Sequence, residues 1–322
     1  MMSPLAPLTL ITGESLLSLY PIIVKSSTLS VPIQAFSRIL VYSVIPLFFA
    51  DASILLNIPV WKWIFAGVTN LLHIWSSYEG FQRLPAGFAT TILYLYPILN
   101  LVLARVILGE ELSLSKILLF IVPVVLLYQL YSEKQNGIKQ TTSTKTQPSS
   151  PSSPSSPSSL TQGTLFMLLS ALTESLLYLI IKITPLGANM WNPILFVYIG
   201  ALLIGITGWT IETIVTPPVS LPLSSLPSSS LFSPSQSTPF QSILSPEFAQ
   251  ISIYNALIGM VGYMFRFWSI PRMNTLLYSV LSYTGIITSH IFGYLFFSET
   301  LTSQALVYLS LFIVSLITIK LI

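Results

Sequence analysis

Of the 322 residues, 53% are hydrophobic and only 7% charged, against about 25% charged in soluble domains, which excludes a water-soluble fold. The formal charge of +3 is scattered along the chain rather than gathered into the basic stripe that nucleic acid requires. There is no cysteine, which removes disulfides, thiolate metal sites and thiol catalysis. Apolar residues come in runs of about twenty, the length of an α-helix crossing the hydrocarbon. Barrel strands would alternate in and out over about ten residues, whereas Ile117 to Leu130 is apolar on every face. The predicted class is therefore all-α integral membrane.

In chain order, about ten spans are predicted, at 8–27, 32–50, 60–81, 86–108, 114–131, 163–184, 189–213, 249–271, 274–297 and 301–322. The first has no basic segment before it and no small-residue cleavage site after it, so it is expected to be retained rather than removed as a signal peptide. Trp61 and Trp63 open the third span, Tyr128 and Tyr131 close the fifth and Trp191 opens the seventh, as interfacial aromatics do. Residues 132–162 include Pro148 to Ser159, made only of Pro and Ser, and 215–247 are again rich in both. Both are expected to be disordered linkers. They divide the chain into 1–131, five spans, and 163–322, five more with a loop at 215–247.

The two halves carry related anchors. Glu14-Ser15-Leu16-Leu17 recurs as Glu174-Ser175-Leu176-Leu177, with Lys25 and Lys182 closing the respective helices. Arg83 and Glu110 are spaced as Arg272 and Glu299 are. Because each half crosses five times, an odd number, the second copy is expected upside down relative to the first, an inverted-topology repeat enclosing a site at the midplane.

Ionisable side chains inside hydrocarbon cost about 2.5–3.5 kcal/mol on insertion scales, so each is a functional candidate. Glu14 and Glu174, at equivalent repeat positions, could bind a cationic group or carry protons; the structural alternative is hydrogen bonding within a packed helix. Arg38, His73, Glu79, Arg266 and His290 form a second group. His73 has Asn70 three residues before it, on nearly the same face, so the two are expected to line a polar cavity. Glu79 and Arg83, spaced i,i+4, read as a structural pair, and the remaining basic residues at helix ends read as headgroup anchors. Gly109 suits a helix terminus. Gly200, Gly205, Gly259, Gly262, Gly285 and Gly293 are candidate close-packing points, and Pro97 and Pro123 candidate kinks.

Arg83-Leu84-Pro85-Ala86-Gly87, Tyr96-Pro97 and Leu108-Gly109-Glu110-Glu111-Leu112-Ser113 resemble the fourth-helix region of the EamA-like drug/metabolite transporter (DMT) superfamily, best over 60–131 and recognisably over 249–322. The resemblance implies ten helices in two inverted repeats, with both termini cytosolic. It departs at Ile286, where the first half has Pro97, and in the absence of a Trp-Gly pair from the first helix of either repeat. No Lys or Arg follows Glu299 until Lys320, unlike the sugar-phosphate exchangers, so a phosphorylated substrate loses support.

The function expected on this basis is secondary transport of a small organic metabolite by alternating access, with candidate substrate-binding residues Glu14, Glu174, Asn70, His73, Tyr94, Tyr96, Tyr283 and His290. The expected partners are the lipid bilayer and a small-molecule solute, with a homodimer allowed and no nucleic acid. No cofactor, metal or catalytic residue is expected. An intramembrane enzyme is the alternative from another class, but no His-Glu-x-x-His pair, paired aspartates or nucleophile elbow is present. A non-transporting scaffold is the third reading. Basic residues balance across the two sides, so charge does not fix the orientation.

Overall fold

The computed structural model describes residues 5–84, 86–111, 157–215 and 243–297, with isolated positions at 125, 129, 307, 310, 311 and 314. The predicted fifth and tenth spans, Pro123, Glu299 and most of both Ser/Pro segments lie outside the described residues.

Every regular element among the described residues is helical. In order they are α1 (Leu5–Leu17), α2 (Tyr20–Ser26), α3 (Val31–Leu47), the short α4 (Ala52–Leu55), α5 (Val60–Arg83), α6 (Ala86–Leu93), α7 (Tyr96–Leu108), α8 (Pro157–Lys182) and α9 (Trp191–Val215). Then come α10 (Pro246–Tyr254), a wider π-helical segment (Asn255–Met260), α11 (Val261–Ser269), a 3-10 turn (Ile270–Arg272), α12 (Thr275–Ser282) and α13 (Thr284–Phe297). Among the described residues, four continuous stretches are long and apolar enough to cross a membrane: Leu5–Ser26, Phe88–Leu108, Leu160–Lys182 and Pro246–Arg272. Helix α8 starts at Pro157, inside the segment expected to be a linker. Hydropathy reads only the part of a helix that lipid covers, and a proline is well tolerated in a first turn.

Helix α5 has 24 residues and the length to span, yet it is too polar to stand with those four. Its polarity is all on one side. Trp61, Ile64, Val68, Leu72 and Trp75, spaced by three or four, face outward, while Asn70, His73, Ser76 and Ser77 are buried. The molecule repeats this inversion: Leu47, Phe48, Val106, Leu165, Leu203 and Leu257 are exposed, and Glu14, Gln34, Arg38, Glu174 and Arg266 are buried. Apolar outside and polar inside is the arrangement a lipid solvent favours.

Two spans are broken by the same local chemistry. In Leu19-Tyr20-Pro21 and Leu95-Tyr96-Pro97 the proline has no N–H for the carbonyl four residues back, Leu17 or Leu93. The chain answers identically in both: Leu19 N–H bonds Leu16 O and Leu95 N–H bonds Ile92 O, both in i→i−3 fashion, and the helix resumes with proline in its first turn. The step between α12 and α13 at Tyr283 occurs without a proline, although Ile286 stands where Pro97 does.

Packing is densest between α5 and α8 and between α1 and α11, followed by α9 against α5 and α3, and α7 against α8. Glycine makes two of these contacts close. A Cβ on Gly67 would fall 2.6 Å from the Gly200 backbone, and one on Gly13 would fall 2.8 Å from Gly262 O. Gly259 and Gly285 leave room for the hydroxyls of Tyr42 and Tyr94. Gly205, expected at a packing point, has no described neighbour within 4 Å of where its Cβ would be, and the surroundings of Gly293 are not among those described. Gly109 ends α7 in the left-handed region, φ 66°, as expected of a terminal glycine.

Interhelical loops gather at two ends. At one, Asp51 N–H bonds Asn192, Asn189 donates to Phe49 O, and Lys182 Nζ donates to Met273 O (2.5 Å) and lies 3.9 Å from Glu110. Lys182 thus reaches inward to neighbouring helix ends, where a headgroup anchor had been expected, because those unpaired carbonyls lie within its reach. Asp51 also caps α4, and the hydroxyl and N–H of Ser53 hold its carboxyl below the usual carboxylate range. At the other end Thr28 donates to Glu247, and Leu84 packs against Gly163. Arg83 and Arg272 close α5 and the 3-10 turn in the same way, each donating to the carbonyl four residues back, and Arg83 also pairs with Glu79 as predicted.

Candidate functional site

Three buried ionisable side chains, Glu14, Glu174 and Arg266, meet in one ionic cluster. The break after Leu17 leaves Glu14 in the last turn of α1, and the break before Tyr96 turns Tyr94 and Tyr96 toward it. Both tyrosines donate to Glu14, Tyr94 to Oε2 and Tyr96 to Oε1, each at 2.9 Å. Gly285 seats the Tyr94 hydroxyl, so a small residue on α13 fixes a contact between α1 and the start of α7.

Arg266 on α11 binds both acids at once. Its Nε donates to Glu14 Oε1 at 2.6 Å, Nη2 to Glu14 Oε2 at 3.0 Å and to Tyr96 Oη at 2.6 Å, and Nη1 to Glu174 Oε1 at 2.6 Å. The planar fork of guanidinium suits this bidentate grip. Arg266 and Glu174 are each 3% exposed and Glu14 is 0%. In low dielectric such a group is stable only as a complete set, because any member left alone is an uncompensated charge.

His73 adjoins the cluster from α5. Its Nε2 stands 3.1 Å from Glu174 Oε2, an ion-pair distance, yet no described donor is aligned on that oxygen. The ring has partners for either tautomer. Nδ1–H can donate to Ser170 O (3.1 Å) while Nε2 accepts from Tyr263 Oη (3.2 Å), or Nδ1 can accept from Ser170 Oγ (3.2 Å) while Nε2–H donates to Tyr263. Either ring nitrogen can therefore carry the proton with a described partner for the other.

Beside the cluster lies a cavity of about 30 Å³, room for about two water molecules. Its walls include Ser18 and Tyr20 at the first break, Tyr94 at the second, and His73, Arg38 and Arg266. Arg38 is 1% exposed, and no carboxylate pairs with it among the described residues. Instead its Nε and Nη2 donate to Tyr198 Oη at 2.9 and 2.7 Å, and the rings of Tyr20, Tyr42, Tyr198 and Tyr263 surround its guanidinium at 4.5–5.7 Å.

Of the residues singled out from sequence, Glu14, Glu174, His73, Tyr94 and Tyr96 come together. Asn70 does not line the cavity with His73: its Nδ2 donates to Val197 O, tying α5 to α9. Three residues along a helix are about 60° apart around the axis, enough here to aim one side chain at α9 and the other at α8. Tyr283 is fully buried outside the cavity walls, and His290 bonds the Ile286 carbonyl of its own helix, also outside them. Tyr198, Tyr263 and Tyr20 were not singled out, and one buried tyrosine looks like any other in an apolar run. The shared Leu-Tyr-Pro motif is the signal that could have found Tyr20.

Residues 5–129 match the EamA-like transporter family, and among the described residues four stretches are long and apolar enough to cross a membrane. A solved crystal structure shares its fold over 98% of this chain and 96% of the other, with a TM-score of 0.61 at 13% identity. No curated protein matches it in sequence.

Proposed function

We propose that the chain, whose residues 5–129 match the EamA-like transporter family, is a secondary carrier of a small organic metabolite, working by alternating access between two inverted five-helix repeats. The halves are 1–131 and 163–322, joined by the Ser/Pro segment. The observation that carries this reading is the single guanidinium of Arg266 held by one carboxylate from each half, Glu14 and Glu174, at matching repeat positions. Both halves must move when that contact is remade.

The helix contacts support the repeat. Exchanging α1 with α8, α3 with α9, α5 with α10–α11, α6 with α12 and α7 with α13 turns the contact α1–α11 into α8–α5. The same exchange turns α7–α8 into α13–α1, α6–α8 into α12–α1, and α7–α12 into α13–α6. The loop contacts support the inversion. Helix α8 ends beside Met273 and Glu110, whereas the first span ends near Thr28 beside Glu247, among the loops of the other end. Gly163, just after the first Ser/Pro segment, lies against Leu84, and Glu247, just after the second, accepts from Thr28, both at the Thr28 end.

A cavity of about 30 Å³ is far below the roughly 300–1,000 Å³ of ordinary ligand pockets, so it has to widen before a metabolite enters. The two Leu-Tyr-Pro breaks border this cavity and supply hinges at its wall. The His73–Glu174 contact, with its two tautomers, is the natural proton site for coupling.

The test is solute flux into liposomes reconstituted with the wild type, Glu14→Gln and Glu174→Gln, screened against a metabolite panel. Either substitution is expected to lower flux at least tenfold. Equal flux in all three removes the acids from the mechanism, and no flux of any solute by the wild type favours a non-transporting scaffold.

A further inference from the structure

Arg38 is buried and charged, and it faces the cavity without an anionic partner among the described residues. The other fully buried arginine among the described residues is matched: Arg266 has two carboxylates. The pseudo-repeat gives the contrast a position. Tyr198 stands as far after Glu174 as Arg38 does after Glu14, so across the repeat a phenol replaces what would be a second guanidinium, and the two meet at 2.7 Å. The four tyrosine rings stabilise the cation but carry no formal charge to neutralise it. Tyr263 lies between the two arginines, its ring centre 4.5 Å from Arg38 Cζ and 5.5 Å from Arg266 Cζ.

We propose that Arg38 docks the anionic end of the transported solute, and that this solute is a small organic monocarboxylate. The inference rests on the carrier reading above. A cationic solute would meet Arg38 while both acids are already bound to Arg266. A phosphate monoester, carrying nearly two negative charges at neutral pH, would bring more charge than one unpaired guanidinium can offset in low dielectric. A carboxylate matches both the single charge and the fork of two N–H donors. Among the remaining walls, Leu17, Phe81 and Leu93 suit a short apolar body, and Ser77 and Thr90 add hydroxyls beside it.

The experiment follows the thermal stability of the purified full chain with sodium acetate, pyruvate, lactate and benzoate, set against sodium phosphate, choline chloride and glucose at equal ionic strength. A ligand of the folded state raises Tm in a saturable way. At least one monocarboxylate is expected to do so in the wild type and in Lys62→Gln, with at least tenfold weaker apparent affinity in Arg38→Gln. Arg38→Lys, which keeps the charge but not the fork, should fall between and serves if Arg38→Gln does not fold. Silence from all four monocarboxylates, an equal response to phosphate or choline, or a folded Arg38→Gln binding like the wild type overturns the proposal. Counterflow of the same compounds in liposomes separates the two readings. Binding that depends on Arg38 without flux contradicts the carrier and leaves the docking role, whereas flux of choline or glucose without a carboxylate response does the reverse.

Discussion

Arg266 closes a contact with carboxylates 252 and 92 residues away in sequence. Removing its charge in Arg266→Gln leaves two buried acids without a cation, and the expected loss is about 3–5 kcal/mol, read as a lowered Tm in detergent. Wild-type melting of that variant would contradict a cluster that is stable only when complete. The two glutamates were legible in the sequence because an acid is rare in an apolar run and these two recur in the same tetrapeptide. Arg266 was legible as an ionisable residue within a span, but not as their partner, since nothing local to it points at α1 or α8. Asn70 was misplaced because i,i+3 neighbours share a face only loosely, and at a three-helix junction that looseness decides which helix is met.

At the scale of the element, close approach depends on glycine at particular helix crossings. In Gly67→Val the new side chain meets the Gly200 backbone, which cannot yield as a side-chain tip could, and the expected cost is about 1–3 kcal/mol. The same substitution at Gly205, where nothing stands within 4 Å, should shift stability by less than about 0.5 kcal/mol. Melting of the two variants side by side checks both, and equal losses would refute the crossing as drawn. Composition marks glycines as candidates but not which way they face, which is why Gly200 and Gly262 fell at contacts, Gly205 did not, and Gly13 and Gly67 were overlooked. The described helices begin and end within a few residues of the predicted spans, except that α8 starts at Pro157, and the predicted fifth and tenth spans lie outside the described residues. The breaks at Tyr20 and Tyr96 have a plain sequence cause in Pro21 and Pro97, whereas the step at Tyr283 has none.

Among the described residues the ionisable groups at the candidate site are buried and large apolar side chains face outward, and on the proposed alternating-access reading a site buried in this way is reached when the two halves separate on one side or the other. Hydropathy made the membrane class legible, and the odd number of crossings made the inversion an expectation. Charge gave no orientation, because basic residues are balanced across the two sides. The chain contains no cysteine, so single cysteines can be introduced without background. Thr28 and Ala188 are exposed and stand equally far after Glu14 and Glu174, at equivalent loops of the two halves. In sealed vesicles of one orientation, a membrane-impermeant maleimide should label Thr28→Cys from one side and Ala188→Cys only from the other. Labelling of both from the same side would contradict the inverted pair on which the transport account depends.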